Sequence, residues 1–393
     1  MYFNLEIAST SSCNMACTYC FEGEELQSKK SQPIQNIDKI IDKIEIFLTD
    51  EKFNKEYPKG ICINFWGGEP TLNFNWNKKL IEKTNNQNYK FRNKITYFIY
   101  SNGFDYKKLA NHINLFTKEE LLKDKLRIQI SYDGISNGRV DHKNNVTDIK
   151  VLNHIKTFSI MYPELNLSTK PTIQPSELLI LETIWNNYFE LFLFINSKKS
   201  RTNVNFSPTL NYVDDFDDTS KDYLSKIETQ FQKVLLLEKS FYMKYGFHLF
   251  GWFSKDLIDT RQKRLTNCSA GINILAIDYN DSLTTCHGAL YSPLKYKFEQ
   301  FHNMNLNQNK STFIGNFFRS REELQKNTDY VSTGCINCEA TTCYKCPIVN
   351  LEQNKNDFNP DNYQVRDTRH CSIYKLFGKY DRTLIKLKEG CDK

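Results

Sequence analysis

Short apolar runs alternate with longer amphipathic segments over residues 1–240. The short runs are rich in β-branched and aromatic residues, which is typical of strands. They predict strands at residues 3–7, 61–65, 95–100, 127–131, 165–173 and 204–206. Between them, apolar residues recur at three- and four-residue steps and predict helices with one apolar face; examples are Ile34, Ile37, Ile40, Ile41, Ile44 and Phe47, and Leu224, Ile227, Phe231 and Val234. The alternation predicts an α/β fold built on a parallel sheet.

The alternation fades after Gly251, where cysteine, asparagine and turn residues become frequent. A chain of 393 residues also exceeds the usual size of one compact core. We therefore expect an α/β domain over residues 1–245 and a small C-terminal domain over residues 246–393 that metal holds together. With 40% apolar and 14% aromatic residues, the chain can bury a substantial core, which argues against disorder.

Composition excludes several classes of function. No basic N-terminal segment precedes an apolar stretch, and the patch at residues 191–195 is far shorter than the roughly 20 residues of a membrane helix. We expect a cytoplasmic protein with no membrane partner. The net charge of +6 is spread along the chain without a block of like charges, so no nucleic-acid partner is expected.

Twelve cysteines are the first feature that indicates chemistry. Cytosolic thiols stay reduced, so a cysteine-rich chain of this kind more often binds metal than forms disulfides. Cys13, Cys17 and Cys20 form a CxxxCxxC motif directly after the first predicted strand. Three thiolates leave one iron of a four-iron cluster without a protein ligand. A structural zinc site, which needs four ligands, is the alternative.

Three further motifs follow the next three predicted strands: GGEP at residues 67–70, SNG at residues 101–103 and SYDG at residues 131–134. Together with the cysteine motif, in which Tyr19 supplies the aromatic position, they resemble the radical S-adenosylmethionine (SAM) enzymes that modify peptides and proteins. The resemblance implies a partial, six-stranded (β/α) barrel and a [4Fe-4S] cluster on the three cysteines, whose open iron chelates SAM. Parallel barrels carry their chemistry at the carboxyl ends of the strands, where these motifs fall.

The resemblance also implies which residues surround SAM. The backbone of Gly67 and Gly68 and the side chain of Glu69 would receive the methionine amine. The other residues implied at the SAM site are Tyr19, Ser101, Asn102, Ser131 and Asp133. The segment after SYDG departs from the family pattern, so Arg139 and Lys143 both remain candidates for the SAM carboxylate, and a solvated basic loop is the alternative for each.

A second group of seven cysteines lies towards the C-terminus, at Cys268, Cys286, Cys335, Cys338, Cys343, Cys346 and Cys371. Within it, the four cysteines between residues 335 and 346 form the paired CxxC units of a zinc site. The whole group resembles the seven-cysteine SPASM domain of peptide maturases, which implies two auxiliary [4Fe-4S] clusters. By analogy Cys335, Cys338, Cys343 and Cys371 hold one cluster, and Cys268, Cys286 and Cys346 hold the other, whose fourth ligand stays open. Cys62 is expected to be a packed thiol and Cys391 to be unligated.

These resemblances imply a peptide maturase. Reductive cleavage of SAM would yield a 5′-deoxyadenosyl radical, which takes a hydrogen from a precursor peptide and leads to a carbon–carbon or thioether crosslink. The implied partners are that peptide and a flavodoxin- or ferredoxin-type electron donor. Since the cysteine motif begins at position 13, we expect the leader to bind to the barrel and SPASM surfaces or to a separate protein.

Two other functions remain open at this point. A sulfatase-type maturase, which makes formylglycine, has an Asp base directly after the second SPASM cysteine. His287 holds that position here, and a histidine also accepts protons near neutral pH, although a hydrogen-bonding surface histidine is equally compatible. An iron-sulfur electron carrier or a zinc-binding interaction protein is the non-catalytic alternative, and such a carrier has no use for an open iron beside GGEP.

Overall fold

The computed structural model describes residues 1–20, 36–134, 138–204, 209–210, 220–250, 271–278, 281–290 and 295–327, and residue 373. Its strands are β1 (Phe3–Thr10), β2 (Ile61–Gly67), β3 (Ile95–Ser101), β4 (Leu126–Ser131), β5 (Asn166–Lys170), β6 (Thr172–Ile173), β7 (Thr209–Leu210), β8 (Ile274–Ile277) and β9 (Leu283–Thr284).

The α-helices of the described residues are α1 (Ile37–Thr49), α2 (Glu51–Glu56), α3 (Phe74–Thr84), α4 (Tyr106–Ile113), α5 (Lys118–Leu122), α6 (Asp148–Met161), α7 (Leu181–Ser197), α8 (Lys221–Tyr245), α9 (His287–Leu290), α10 (Lys295–His302) and α11 (Lys310–Asn327). Short 3-10 helices lie at Pro70–Asn73, Arg92–Lys94 and Pro175–Ile180.

The main sheet has the strand order β5-β4-β3-β2-β1-β8-β9. Strands β1 to β5 are parallel to their neighbours, β8 is parallel to β1, and β9 is antiparallel to β8. The predicted α/β class and the first four predicted strands are confirmed. The fifth predicted strand is divided at Pro171 into β5 and β6, because proline cannot donate a ladder hydrogen bond. Of the sixth, only Val204 lies within the described residues.

Helix α1 shows how sequence pattern and packing agree. Asn36 caps it, since its side chain accepts a hydrogen bond from the backbone N–H of Asp38 at 2.9 Å. Its apolar face turns Ile40, Ile44 and Phe47 towards β1, and all three are fully buried. The predicted helical face is therefore confirmed from residue 37 onward, whereas Ile34 lies outside the described residues.

The C-terminal region contributes to the same core. The parallel ladder between β8 and β1 pairs Asn4 with Ile274, and Phe317 of α11 packs edge-on against Phe3 with ring centroids 5.4 Å apart. The sequence predicted no strand after Gly251, because β8 and β9 are too short to show a period. A domain boundary at residues 245 and 246 stays a prediction.

The two faces of the sheet differ in character. On β1, Phe3, Leu5 and Ile7 are buried against the helices, so the intervening residues face the interior of the barrel. Ladder register places residues of neighbouring strands beside one another on this inner face. Its side chains, many of them polar or half-buried, include Glu6, Asn64, Trp66, Phe98, Tyr100 and Arg127. The helix-facing side is the hydrophobic core, and the inner face is suited to a ligand.

One helical stretch among the described residues, Pro175–Ser197, is long and apolar enough to cross a membrane by length and composition alone. Polar residues such as Glu182, Asn186 and Asn187 interrupt its apolar sequence. Trp185 and Tyr188 on this stretch are buried, and α7 packs against α6 and α8. Helices in the core of a soluble protein can be equally long and apolar, so one such stretch is weak evidence for a membrane span. The absence of a membrane partner stays a prediction.

Candidate active site at the carboxyl ends of the strands

The cysteine loop, residues 11–20, follows β1 and is held in place by the segment after β4. The backbone N–H groups of Ala16 and Thr18 donate to the carbonyls of Val140 and Gly138, both at 2.9 Å. A Cβ on Gly138 would lie 2.7 Å from the Tyr19 ring, so only glycine permits this approach. The first and fourth motifs are therefore brought together, as the sequence predicted.

The GGEP loop packs on the residues just before Cys13. The backbone N–H of Gly68 donates to the Thr10 carbonyl at 2.9 Å, and that of Glu69 donates to the Ser12 carbonyl at 2.8 Å. A Cβ on Gly67 would lie 2.1 Å from the Thr10 oxygen, and one on Gly68 would lie 2.4 Å from the Ser12 oxygen. The glycine pair is thus required for contact with the cysteine loop, whatever it also does for a ligand.

Glu69 is a buried junction between the second and third motifs. Its carboxylate accepts hydrogen bonds from the Thr71 backbone at 3.2 Å, the Thr71 hydroxyl at 2.6 Å, the Ser101 hydroxyl at 3.0 Å and the Asn102 backbone at 2.7 Å. Burial raises the pKa of this carboxyl, and these four donors oppose the rise. The contacts assign Glu69 a role in joining the loops, while its contact with the methionine amine stays a prediction.

Asn102 connects the third motif to the cysteine loop. Its side-chain amide donates to the Asn14 side-chain oxygen at 2.8 Å and lies 3.7 Å from the Cys13 sulfur. Its own side-chain oxygen accepts the Phe104 backbone N–H at 2.9 Å.

Burial raises the pKa of the Cys13 thiol to about 12. The protein alone therefore keeps this thiol protonated, and a bound metal would supply the charge that stabilises the thiolate.

Tyr19, Asp133 and Arg139 form a buried cluster. The Tyr19 hydroxyl donates to Asp133 Oδ2, and Arg139 Nη1 donates to the Tyr19 oxygen at 2.8 Å. The same Nη1 lies 3.5 Å from Asp133 Oδ2, and the Thr172 backbone N–H donates to Oδ1 at 2.8 Å. Burial would lower the pKa of Arg139, but Asp133 raises it above its ordinary value. Arg139 thus stays charged, with Asp133 as its counter-ion.

The two candidates for the SAM carboxylate occupy different surroundings. Arg139 is buried, and its Nε atom has no hydrogen-bond partner among the described residues. Lys143 lies in an exposed turn, where its backbone N–H donates to Asp141 at 2.8 Å. Ser131, which ends β4, is half-buried on the inner face. Burial thus distinguishes the two basic residues, and the role of each towards SAM stays a prediction.

His287 lies at the edge of the barrel interior, directly after the buried Cys286. Its backbone N–H and its ring Nδ1 are 2.7 and 2.9 Å from the same oxygen of buried Glu6. The imidazole stacks on Trp66 with ring centroids 3.8 Å apart, and Trp66 packs against Tyr100 at 4.6 Å. Sequence analysis missed Glu6, although an acidic residue within an apolar strand was a usable signal.

The described residues include all three predicted ligands of the SAM-binding cluster, but only Cys286 of the predicted auxiliary-cluster ligands. Cys13, Cys17 and Cys20 lie on one short loop, and all three are partly exposed. No three His, Cys, Asp or Glu side chains of the described residues are already gathered as a metal cage. The donor set suits an iron-sulfur cluster chemically, because three thiols sit on one hydrogen-bonded loop.

Other cysteines fall partly outside the described residues. Cys62 is fully buried in β2, as expected for a packed thiol, and Arg127 Nη2 lies 3.3 Å from its sulfur. The SPASM-type ligands other than Cys286, and Cys391, lie outside the described residues; the former are Cys268, Cys335, Cys338, Cys343, Cys346 and Cys371.

Comparison with known proteins agrees with this geometry. Residues 7–143 match the family model of a 4Fe-4S single cluster domain. A stretch of 107 residues is 32% identical to a protein named radical SAM cyclopropyl synthase TigE from Paramaledivibacter caminithermalis, and it covers 25% of this chain. The chain spans about a fifth of that relative's length, since the match covers 22% of it.

The similarity to solved structures extends over nearly the whole chain. Native anSMEcpe with bound AdoMet and Cp18Cys peptide has a TM-score of 0.65 at 18% identity, over 99% of both chains. Native anSMEcpe with bound AdoMet has a TM-score of 0.67 at 18% identity, over 98% of both chains. The protein therefore has the radical SAM fold of anSME, and the predicted fold class is confirmed.

Proposed function

We propose that this protein is a radical SAM enzyme that modifies a ribosomally made precursor peptide, most simply by closing a crosslink between side chains. One observation carries the proposal: the loops after β2, β3 and β4 all converge on the cysteine loop after β1. The contacts from Glu69 to Ser12, from Asn102 to Cys13 and from Gly138 to Thr18 establish this convergence.

The chain's own residues suit that chemistry. When bound, a [4Fe-4S] cluster with an open iron supplies the electron that breaks a carbon–sulfur bond of SAM. Cys13, Cys17 and Cys20 would hold it, and Asn102 would donate a hydrogen bond to one of its sulfur ligands. Glu69 is a buried carboxylate that accepts hydrogen bonds only from neutral donors among the described residues. Because these donors do not balance its negative charge, a cation such as the SAM amine would be stabilised beside it.

The substrate side chain would enter the inner face of the barrel. Trp66, Tyr100 and His287 form an aromatic wall there, and Glu6 fixes the histidine ring. A peptide substrate is supported by the solved structure of anSMEcpe, which has AdoMet and a peptide bound. Radical SAM chemistry is supported by TigE, which is named a radical SAM cyclopropyl synthase. Ring closure leaves one extra electron, and the predicted SPASM cysteines would hold the two auxiliary clusters that accept it.

Formylglycine formation is the second candidate. It is favoured by the placement of His287, which contacts the inner face where a peptide side chain would bind. With Nδ1–H donating to Glu6, the lone pair of the imidazole lies on Nε2, the nitrogen that would accept a substrate proton. Crosslinking remains the main proposal, since the position held by His287 is an Asp in the sulfatase-type maturases.

The experiment is SAM cleavage by anaerobically reconstituted, reduced protein. We expect 5′-deoxyadenosine and methionine as products. The triple variant Cys13→Ala, Cys17→Ala, Cys20→Ala should form neither above background while retaining iron at the C-terminal cysteines. Cys62→Ala, which removes a buried thiol of β2 outside the cysteine loop, is the matched control and should keep the activity. Cleavage by the triple variant would contradict the proposal.

The reaction itself is tested by co-expression with the product of the neighbouring small open reading frame. Mass spectrometry should show a peptide that has lost two hydrogens while its fragmentation is blocked between the joined residues. Loss of sulfur from a cysteine, with gain of an aldehyde, would instead indicate formylglycine. An unmodified peptide from an enzyme that cleaves SAM would contradict the choice of substrate without affecting the SAM chemistry.

A further inference from the structure

An exposed basic surface lies beside the cysteine loop. We call it the basic face, and it consists of Lys107, His142, Lys143, Val146, Ile149 and Lys150, all of them exposed. Val146 and Ile149 are 53% and 77% exposed, so the face also carries two apolar side chains. Lys107, Lys150 and Phe104 line one open groove. The face thus combines apolar and cationic side chains.

Two short paths connect the basic face to Cys13. His142 Nε2 is 3.0 Å from the Cys13 carbonyl oxygen. On the other side, Lys150 Nζ lies 3.5 Å from the centre of the Phe104 ring, and the Phe104 backbone N–H donates to Asn102 at 2.9 Å. The Asn102 amide then contacts the Cys13 sulfur at 3.7 Å.

Some surface lysines are paired with carboxylates of the chain, whereas two lysines of the basic face have no such partner in the part of the chain that the structure describes. Lys226, Lys233 and Lys123 each form a salt bridge with a carboxylate of the chain. Among the described residues, neither Lys107 nor Lys150 forms an ion pair.

The nearby carboxylates are already used by the backbone. Asp105 accepts from the Lys108 backbone N–H at 3.2 Å, and Asp141 accepts from the Lys143 and Asn145 backbone N–H groups at 2.8 and 2.9 Å. A backbone hydrogen bond does not cancel the charge of a carboxylate, and Asp141 still attracts Lys143. The cations open to an anionic partner are therefore Lys107 and Lys150, which form no ion pair among the described residues.

We infer that the basic face docks an acidic protein that carries a one-electron reductant, of the reduced flavodoxin type. The inference rests on the proposed function, because reductive cleavage of SAM needs one electron at the iron held by the cysteine loop. The donor flavin passes from hydroquinone to semiquinone as it loses that electron, and the iron gains it. No bond of the docking residues changes.

The size and chemistry of the face suit such an encounter. Electron-transfer complexes are short-lived and bury less area than stable ones, roughly below 1,200 Å² in total. Opposite charges on the two partners raise the association rate, and a small apolar contact allows rapid release. An acidic peptide segment is the other occupant that the charge would permit, and the experiment separates the two.

The test variant is the double substitution Lys107→Glu, Lys150→Glu. Lys143 is left unchanged because it is a candidate for the SAM carboxylate. Binding of oxidised flavodoxin to the enzyme is followed by flavin fluorescence anisotropy, at about 50 and 200 mM salt. We expect the variant to bind roughly tenfold more weakly at the lower salt and to show less salt dependence. Lys221→Glu, Lys239→Glu on α8 carries the same charge change and should bind as the unchanged protein does.

Activity supplies the second measurement. Formation of 5′-deoxyadenosine driven by reduced flavodoxin should fall in the test variant, whereas formation driven by dithionite should equal that of the unchanged enzyme. Equal flavodoxin binding by the two proteins would overturn the inference. Weaker binding of the precursor peptide with unaltered flavodoxin binding would also overturn it, in favour of the peptide. No dithionite-driven cleavage by the unchanged enzyme would instead refute the proposed function, and the binding result would still stand.

Discussion

The side-chain amide of Asn102 lies 3.7 Å from the sulfur of Cys13, so a residue of the third loop contacts a predicted cluster ligand of the first. Hydrogen bonds to cluster sulfurs stabilise the more negative, reduced state and raise the reduction potential. Asn102 can therefore set the potential at which SAM is cleaved, in addition to any contact with SAM.

The variant Asn102→Asp tests this relationship. It removes the amide donor and keeps the oxygen that accepts the Phe104 backbone N–H. A hydrogen bond worth about 1 kcal/mol more to the reduced state corresponds to about 40 mV for one electron, and the added negative charge acts in the same direction. We expect the midpoint potential to fall by at least that amount in a redox titration followed by electron paramagnetic resonance.

Asn14→Ala is the matched control for Asn102. It removes the other acceptor of the Asn102 amide, at 2.8 Å, without touching a sulfur. Its potential should remain close to that of the unchanged enzyme. A potential in Asn102→Asp that equals that of the control would show that the 3.7 Å contact has no electronic effect.

Gly68→Ala should prevent assembly of the site. The new Cβ would meet the Ser12 carbonyl at 2.4 Å, and backbone oxygen cannot move away as a side chain can. We expect loss of iron from the cysteine loop and a fall in stability of about 2–4 kcal/mol, as for overpacked sites. Iron analysis and urea denaturation measure the two effects.

Gly246→Ala is the comparison for Gly68. Gly246 caps α8 at φ +78°, and a Cβ there would meet nothing within 4 Å. Only the left-handed backbone is then strained, at a cost of about 1 kcal/mol, and iron content should not change. Full iron content in Gly68→Ala would show that the two loops can separate without loss of the site.

Glu69→Gln should weaken the junction between the second and third loops. An amide nitrogen in place of a carboxylate oxygen faces donors from Thr71, Ser101 or Asn102 and cannot accept from them. A buried donor without an acceptor costs about 1–3 kcal/mol, so urea denaturation of the cluster-free protein should show a loss of that size. SAM affinity, measured by titration, should fall as well.

Thr71→Val provides the control, because it removes one of the four donors and leaves the carboxylate intact. Its loss of stability should be smaller, about 1 kcal/mol. If Glu69→Gln is as stable as the unchanged protein and binds SAM equally well, the four hydrogen bonds to Glu69 contribute neither to stability nor to SAM binding.

His302 should make the stability pH-dependent. It is fully buried beside Ser320, and burial, with Arg319 adding to the effect, lowers its pKa to about 3. The unfolded chain binds a proton near pH 6.5 while the folded chain does not, so stability is lost as the pH falls below about 6.5. Between pH 7 and pH 5 this group should remove about 2 kcal/mol. In His302→Gln, the difference in the free energy of unfolding between pH 7 and pH 5, measured by urea denaturation, should be smaller by that amount. A variant with the same pH dependence as the unchanged protein would contradict this assignment.

Iron content tests the C-terminal cysteines, which lie outside the described residues. Ten of the twelve cysteines fall into groups of three and seven, so we predict about twelve irons in three four-iron clusters. Cys335→Ala should lower this to about eight and stop crosslinking, yet spare SAM cleavage without crosslinking. Cys391→Ala, which removes a thiol expected to be unligated, should keep all of the iron. Stoichiometric zinc would refute the auxiliary clusters.

Sequence analysis succeeded where a pattern was local. The strands from β1 to β4 are apolar runs of several residues, and the motifs at their carboxyl ends had to meet once the sheet was parallel. It failed for β8 and β9, which are too short to show a period. It also missed the contact between Glu6 and His287, since nothing local in the sequence announces a hydrogen bond between residues so far apart.

Within the site, residue types were easier to predict than their partners. Glu69 was expected to face SAM, and Arg139 was one of two candidates for the SAM carboxylate. The structure adds that each also holds two loops together. That second role depends on burial, which raises the cost of leaving a charge unpaired and so draws donors or a counter-ion to it. Burial of this kind arises from packing across the sheet and is not visible in a motif.

The pairing of β1 with β8 has a consequence for how the chain folds during synthesis. Asn4 leaves the ribosome long before its ladder partner Ile274 and before the Phe317 ring that packs on Phe3. Until then one edge of β1 has no strand beside it and can pair with another chain. Contacts between residues so far apart in sequence slow folding. We therefore expect the newly made protein to need chaperones or slow translation in order to fold without aggregating.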